Sequence, residues 1–257
     1  MHVTRESKFE ALLADAQQDP EVLAVFLFGS RSRDGFADER SDYDVGVVVS
    51  DREGALAAFD ERWPYVHGAR VEVVSSTLSE LREHGEFGGT SEWARYQYAY
   101  VTLLIDKTGE AETILRTKQR LPEDVRAGVI EQALGGYINS MHRSLRNRMV
   151  GVLLAAQLDA AESLPYVLTA IFAFESRVRP FNKYLEWELR THPLAERAWA
   201  PDVLLPRLDA VLAGHAEDQH VLFREVDRVA RGHGFAGAID EWQPDLAWLR
   251  GEATYRA

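Results

Sequence analysis

The sequence predicts an α+β protein: a sheet with helices over the first 115 residues, then an antiparallel helical bundle over residues 116–257. Three observations carry this reading. Short runs rich in β-branched and aromatic residues alternate with helical stretches up to Gly109. The strand signal then fades. Beyond Pro122 the apolar residues recur every three or four positions, as on one face of a long helix.

The strand candidates are "VLAVFLFG", "DVGVVVS", "RVEVVSS" and "YVTLLIDK", and "EGALAAFDERW" and "SELREHG" read as helices between them. Such alternation predicts a sheet covered by helices on at least one face. In the second half, Pro122 and the acids after it mark a helix start. Val125, Val129, Ala133, Tyr137 and Met141 form one apolar row, and Ile130, Leu134 and Ile138 a second beside it. Leu164, Leu168, Ile171 and Phe172 make another stripe, and "VLLPRLDAVLAGH" and "HVLFREVDRVARGH" predict two further helices. Stripes of this kind pack together as a bundle.

Composition narrows the function. The 257 residues are 46% hydrophobic and 27% charged, ordinary for a globular protein able to bury a sizeable core. There is no cysteine, which removes disulfides, thiolate chemistry and zinc–cysteine sites. No apolar run approaches the roughly 20 residues that span a bilayer, and "MHVTRESKFEALLADAQQDP" lacks a secretory pattern. The expectation is a cytoplasmic protein with no membrane partner. The formal net charge of −12 argues against a long nucleic-acid partner and suits a cationic small substrate.

The chemistry concentrates in "FLFGSRSRDGFADERSDYDVGVVV", residues 26–49. Along a strand, residues two apart point to the same side, so Asp42 and Asp44 present both carboxylates to one place. Two like charges so close call for a cation between them or a proton on one. Mg²⁺ suits a site of few protein ligands completed by phosphate oxygens. Glu72 interrupts the apolar "ARVEVVSS"; if that strand lies beside the Asp42 strand, three acids gather, and one could take a proton from a hydroxyl. Upstream, Gly29 lets backbone approach a ligand, and a helix beginning at Ser30 would offer free N–H groups to a phosphate. Arg31 and Arg33 follow, with Arg31 a candidate phosphate contact beside the alternative of a solvated loop arginine. Each of these features alone is compatible with an ordinary cap, loop or strand; their joint order and spacing is specific. The eight histidines show no metal spacing, and His67, His142, His215 and His220 read as surface or structural.

"FGSRSRDGFADERSDYDVGV" followed by "VEV" resembles the nucleotidyltransferase superfamily that includes DNA polymerase β. An apolar residue, Gly-Ser, a spacer, Asp-x-Asp and a third acid on a later strand all occur in that order. Within the superfamily the chain looks most like the aminoglycoside adenylyltransferases of the streptomycin/spectinomycin type. The resemblance is good over residues 22–75 and thin elsewhere.

It implies a mixed-sheet nucleotidyltransferase core followed by a helical domain, with ATP or another NTP as co-substrate and Mg²⁺ as cofactor. Asp42 and Asp44 would bind the metal and, through it, the phosphates. Glu72 would be the general base and a further metal ligand, and Gly29 and Ser30 would hold a phosphate. "SEWARY" resembles a segment near the active site in that group, which makes Glu92 and Trp93 substrate-contact candidates and Glu92 a rival to Glu72 as base. In "RPFNKYLEW", Lys183 resembles a lysine that reaches the triphosphate, with Arg179 beside it; a plain surface lysine on a helix that begins at Pro180 is the alternative. The implied activity is transfer of a nucleoside monophosphate, AMP from ATP, to a hydroxyl of a small cationic acceptor. Two other readings stand beside it: a toxin–antitoxin type of nucleotidyltransferase acting on a protein or tRNA, and a non-catalytic nucleotide-binding module. Retention of all three acids ranks the last of these lowest.

Overall fold

A computed structural model describes residues 4–255. The chain divides into two compact units, the first ending at Arg120 and the second beginning at Leu121.

The first unit is built on four strands: β1 (Val22–Phe28), β2 (Tyr43–Val49), β3 (Val71–Thr77) and β4 (Thr102–Asp106). They lie in the order β3-β2-β1-β4. β1 runs antiparallel to β2 and β4, and β2 runs parallel to β3, so the sheet is mixed. The parallel pair needs a crossover, and α2 (Ala55–Arg62) supplies it.

Strand alternation sorts the side chains between two layers. On one face Val45, Val47, Val49, Val71 and Val73 pack with Leu12 and Ala16 of α1 (Arg5–Gln18) and Phe59 of α2. α1 is itself a charged segment with no strong apolar stripe, so periodicity does not mark it; Thr4 caps it, its Oγ1 accepting from the Ser7 N–H at 3.1 Å. On the other face Ala24, Phe26 and Val48 pack with Leu78 and Leu81 of α3 (Leu78–Glu83) and Ala111 and Leu115 of α4 (Glu110–Lys118). A capping box at Thr77 and Glu80 fixes the start of α3. Asp44, Gly46, Glu72 and Val74 belong to this second face by alternation. Val74 is 45% exposed there, so the helices leave part of the face open.

The second unit is helical. α5 (Glu123–Met149) and α6 (Leu153–Ala173) are joined by residues 150–152 and form an antiparallel hairpin. Ile130, Ala133, Leu134, Tyr137, Ile138 and Met141 are buried, as the two apolar rows require. α7 (Leu185–Thr191), α8 (Pro201–Leu212), α9 (Ala216–Gly232), α10 (Ala236–Asp240) and α11 (Leu246–Leu249) complete it. Among the described residues no helix is long and apolar enough to cross a membrane.

Candidate nucleotide-binding site

β1 ends on Phe28, whose register partner across the sheet is Asp44. The chain then turns at Gly29, where φ is +68°, a conformation L side chains rarely adopt. Space imposes a second demand. A Cβ at residue 29 would stand 1.9 Å from Asp44 Oδ2. The Asp44 carboxylate therefore lies directly against the backbone of the turn. The helix expected at Ser30 is a single 3-10 turn, Gly29–Ser32, and Ser30 is buried within it. Four residues sum too little dipole to bind an anion by that means.

Side chains brace the turn from behind. Ser32 Oγ lies 2.9 Å from the Gly29 carbonyl oxygen and 2.7 Å from that of Tyr100. Arg33 is buried, donates to the Gly29 carbonyl, and its guanidinium carbon lies 5.0 Å from the Tyr96 ring centroid. Arg31 Nε and Nη2 donate to the Ser41 carbonyl at 3.1 and 2.7 Å, and its guanidinium stacks on Tyr43 at 4.1 Å. Tyr43 in turn stacks on Phe9 at 4.3 Å. Arg31 thus fastens the segment that leads into Asp42.

The pairing of β2 with β3 makes Asp44 and Glu72 register partners on one face. Glu72 accepts from the Gly68 N–H, and His67 Nδ1 lies 4.0 Å from its Oε1. Asp42 sits just before β2, and its Oδ1 is 3.8 Å from Arg70 Nη1. The three acids are neighbours in the fold, yet each side chain has its own local contact. Among the described residues no three His, Cys, Asp or Glu side chains form a group able to hold a metal ion. The expected three-acid cage is therefore not preformed. The donor set still fits Mg²⁺ in its usual mode, one or two carboxylates completed by water and substrate phosphates. Asp44 against the Gly29 turn, with Asp42 two residues away, is such a set.

The open part of the second sheet face leads into a cavity of about 640 Å³. Phe26, Phe28, Gly46 and Val74 line it from the strands, and His84 and Tyr98 from beyond. Glu80 and Glu83 also line it, and no lysine or arginine does. His84 Nδ1 and Tyr98 Oη lie 2.7 Å apart. Burial, aided by the Lys118 charge, holds the His84 imidazole below its ordinary pKa, and burial pushes the Tyr98 phenol up to about 12. Both stay neutral near pH 7.

Glu92 and Trp93 begin a 3-10 helix, Glu92–Tyr98. Glu92 Oε2 accepts from the Gly88 N–H at 2.8 Å, and Trp93 is 76% exposed. Lys183 and Arg179 belong to the second unit. Lys183 is exposed, its Nζ 5.3 Å from the Tyr184 ring centroid, and Arg179 Nη2 donates to Asn182 Oδ1 at 2.8 Å. Sequence reasoning passed over Arg70 and Gly68 at the Asp42–Glu72 mouth and read His67 there as surface or structural. The one available signal was their position, directly before "VEV".

Residues 2–113 match the family model described as streptomycin adenylyltransferase. This is less than half of the chain and lies within the first unit. The match takes in the mixed sheet, the Gly29 turn and the three carboxylates. No curated protein matches the chain. Among solved structures it is similar to a nucleotidyltransferase-like protein from Exiguobacterium sibiricum 255-15, at 12% identity and a TM-score of 0.41. That similarity covers 93% of this chain and 80% of the other.

Proposed function

We propose that the protein is a Mg²⁺-dependent nucleotidyltransferase that transfers AMP from ATP to a hydroxyl of a small cationic acceptor such as an aminoglycoside. The observation that carries this is the contact of the Asp44 carboxylate with the backbone of the Gly29 turn, beside Glu72 on the neighbouring strand. A carboxylate against that turn supports the reading that a metal ion and a phosphate meet there.

Asp42 and Asp44 would hold Mg²⁺. When bound, the ion supplies charge neutralisation to the phosphates. The backbone of the Gly29 turn and Ser30 bind phosphate oxygens. Glu72 orients the acceptor hydroxyl and takes its proton as the acceptor oxygen attacks the α-phosphorus. The new P–O bond forms in line as the bond to the β-phosphate oxygen breaks, and pyrophosphate leaves with that electron pair. The work is positioning and charge stabilisation. Glu72 is favoured over Glu92 as base because it is the register partner of Asp44. A cavity lined by Glu80 and Glu83 and by no lysine or arginine favours a cationic acceptor over an RNA phosphate backbone.

The test is pyrophosphate release with ATP and Mg²⁺ against a panel of aminoglycosides and spectinomycin. One acceptor should support release, and Asp44→Asn should lower the rate at least ~100-fold. Nucleotide binding without release from any acceptor would overturn the acceptor class and leave the nucleotide site standing.

A further inference from the structure

Three arginines surround the mouth formed by the Gly29 turn and the starts of β2 and β3, and they differ in what they hold. Arg31 is turned onto the Ser41 carbonyl and the Tyr43 ring. Arg33 is buried against the Gly29 carbonyl and Tyr96. Arg70 is different. Its side chain is 66% exposed, and its two contacts are long: Asp42 Oδ1 at 3.8 Å and the Arg40 carbonyl oxygen at 3.5 Å. A guanidinium carries five N–H donors in a planar fork suited to phosphate, and these contacts leave most of them available. An exposed ion pair of that length resists exchange only weakly.

The backbone at this position is fixed although the side chain is loose. The Arg70 carbonyl accepts from the Tyr43 N–H at 3.0 Å, which locks the residue beside Asp42 and one step before β3. Glu72 follows two residues later. Electrostatics then supplies the reason for a cation here. A nucleoside triphosphate would bring several negative charges to a mouth that already has Asp42, Asp44 and Glu72, and one divalent ion offsets only two of them.

We propose that Arg70 is a triphosphate-binding residue of this site, exchanging its contact with Asp42 for the β- or γ-phosphate of the bound nucleotide. The exchange would also release the Asp42 carboxylate toward the metal. This inference rests on the reading that the mouth takes a nucleoside triphosphate, and it adds a residue that neither the sequence pattern nor the family resemblance assigns.

Calorimetric titration of the full chain with ATP, ADP and AMP, each with Mg²⁺, tests it in wild type, Arg70→Ala, Arg70→Lys and Arg40→Ala. Arg40 is an exposed arginine on the segment that leads into Asp42 and controls for general charge. Arg70→Ala should weaken ATP binding ~10-fold, ADP less and AMP least, with Arg70→Lys recovering part of the loss. Arg40→Ala should stay within ~2-fold of wild type. Circular dichroism and thermal melting confirm that each variant is folded. An equal loss for all three nucleotides, an equal loss in Arg40→Ala, or no loss in a folded Arg70→Ala would overturn the assignment and leave the nucleotide site intact. Failure of the wild type to bind any nucleotide would overturn the underlying functional reading, and this inference with it.

Discussion

Gly29 answers to two constraints at once. Its φ of +68° strains any other residue, and its missing side chain is the space in which the Asp44 carboxylate sits. Gly29→Ala should therefore affect stability and ligand binding together. The backbone strain alone costs about 1–3 kcal/mol, measurable by urea denaturation. The Cβ would also push Asp44 aside, so ATP affinity should fall further than in a stability-matched variant elsewhere in the sheet. A Gly29→Ala protein that binds ATP as wild type does would separate Asp44 from the phosphate site. Gly29, Asp44 and Glu72 were legible in the sequence because strand alternation and a short spacer determine their placement. Arg70 was not, because its meaning depends on which strand pairs with β2. Arg31 looked like a phosphate contact on sequence; the structure turns its donors to the Ser41 carbonyl, a partner ten residues away that no spacing rule reveals.

At the scale of elements, the wall of the cavity is held by a polar clasp. Lys118, at the end of α4, is fully buried; it donates to the carbonyls of Arg82 at 2.8 Å and His84 at 3.0 Å and to Glu86. Arg95 is equally buried and donates to Glu86 at 2.9 Å and to the Thr117 carbonyl at 2.8 Å. One carboxylate thus serves two buried cations and ties α4, the Glu92–Tyr98 helix and residues 82–86 together. Glu86→Gln would leave both cations without a counter-charge. A cost of about 2 kcal/mol is expected, less than for a fully buried pair because the Glu86 side chain is 47% exposed. The pH dependence has a definite sign. Burial pushes the Glu86 carboxyl up, but the Lys118 hydrogen bond and the Arg95 and Lys118 charges outweigh it and hold it below the ordinary 4.5. Its contribution is complete above pH 4.5 and is lost as pH falls through the lower folded value. The stability gap between wild type and Glu86→Gln should be widest near about pH 7 and narrow as pH falls below 4.5. A gap independent of pH would show that the carboxylate charge is not what holds the clasp. The four strands and the long helices were readable from periodicity, whereas this clasp joins residues up to 36 apart through backbone carbonyls and leaves no periodic trace.

At the scale of the molecule, the two units differ in how far sequence explains them. The first contains the family match and every carboxylate of the proposed chemistry. The second lies outside the match, and its apolar rows encode a helical core, which specifies packing without specifying a ligand. That is why the acceptor was not legible: specificity arises from non-periodic surface residues, which no packing constraint marks. Lys183, in the second unit, is a phosphate contact only by the family resemblance. It is exposed, so Lys183→Ala should leave the thermal midpoint unchanged. If it supplies charge to the triphosphate, the same change should weaken ATP binding ~5- to 10-fold, spare AMP binding and reduce the salt dependence of ATP affinity. Charge reversal to Glu should weaken ATP further than removal does. Isothermal titration at two salt concentrations reads all of these. Unchanged ATP affinity in Lys183→Ala would confine triphosphate binding to the first unit and leave the helical unit to the acceptor or to a partner.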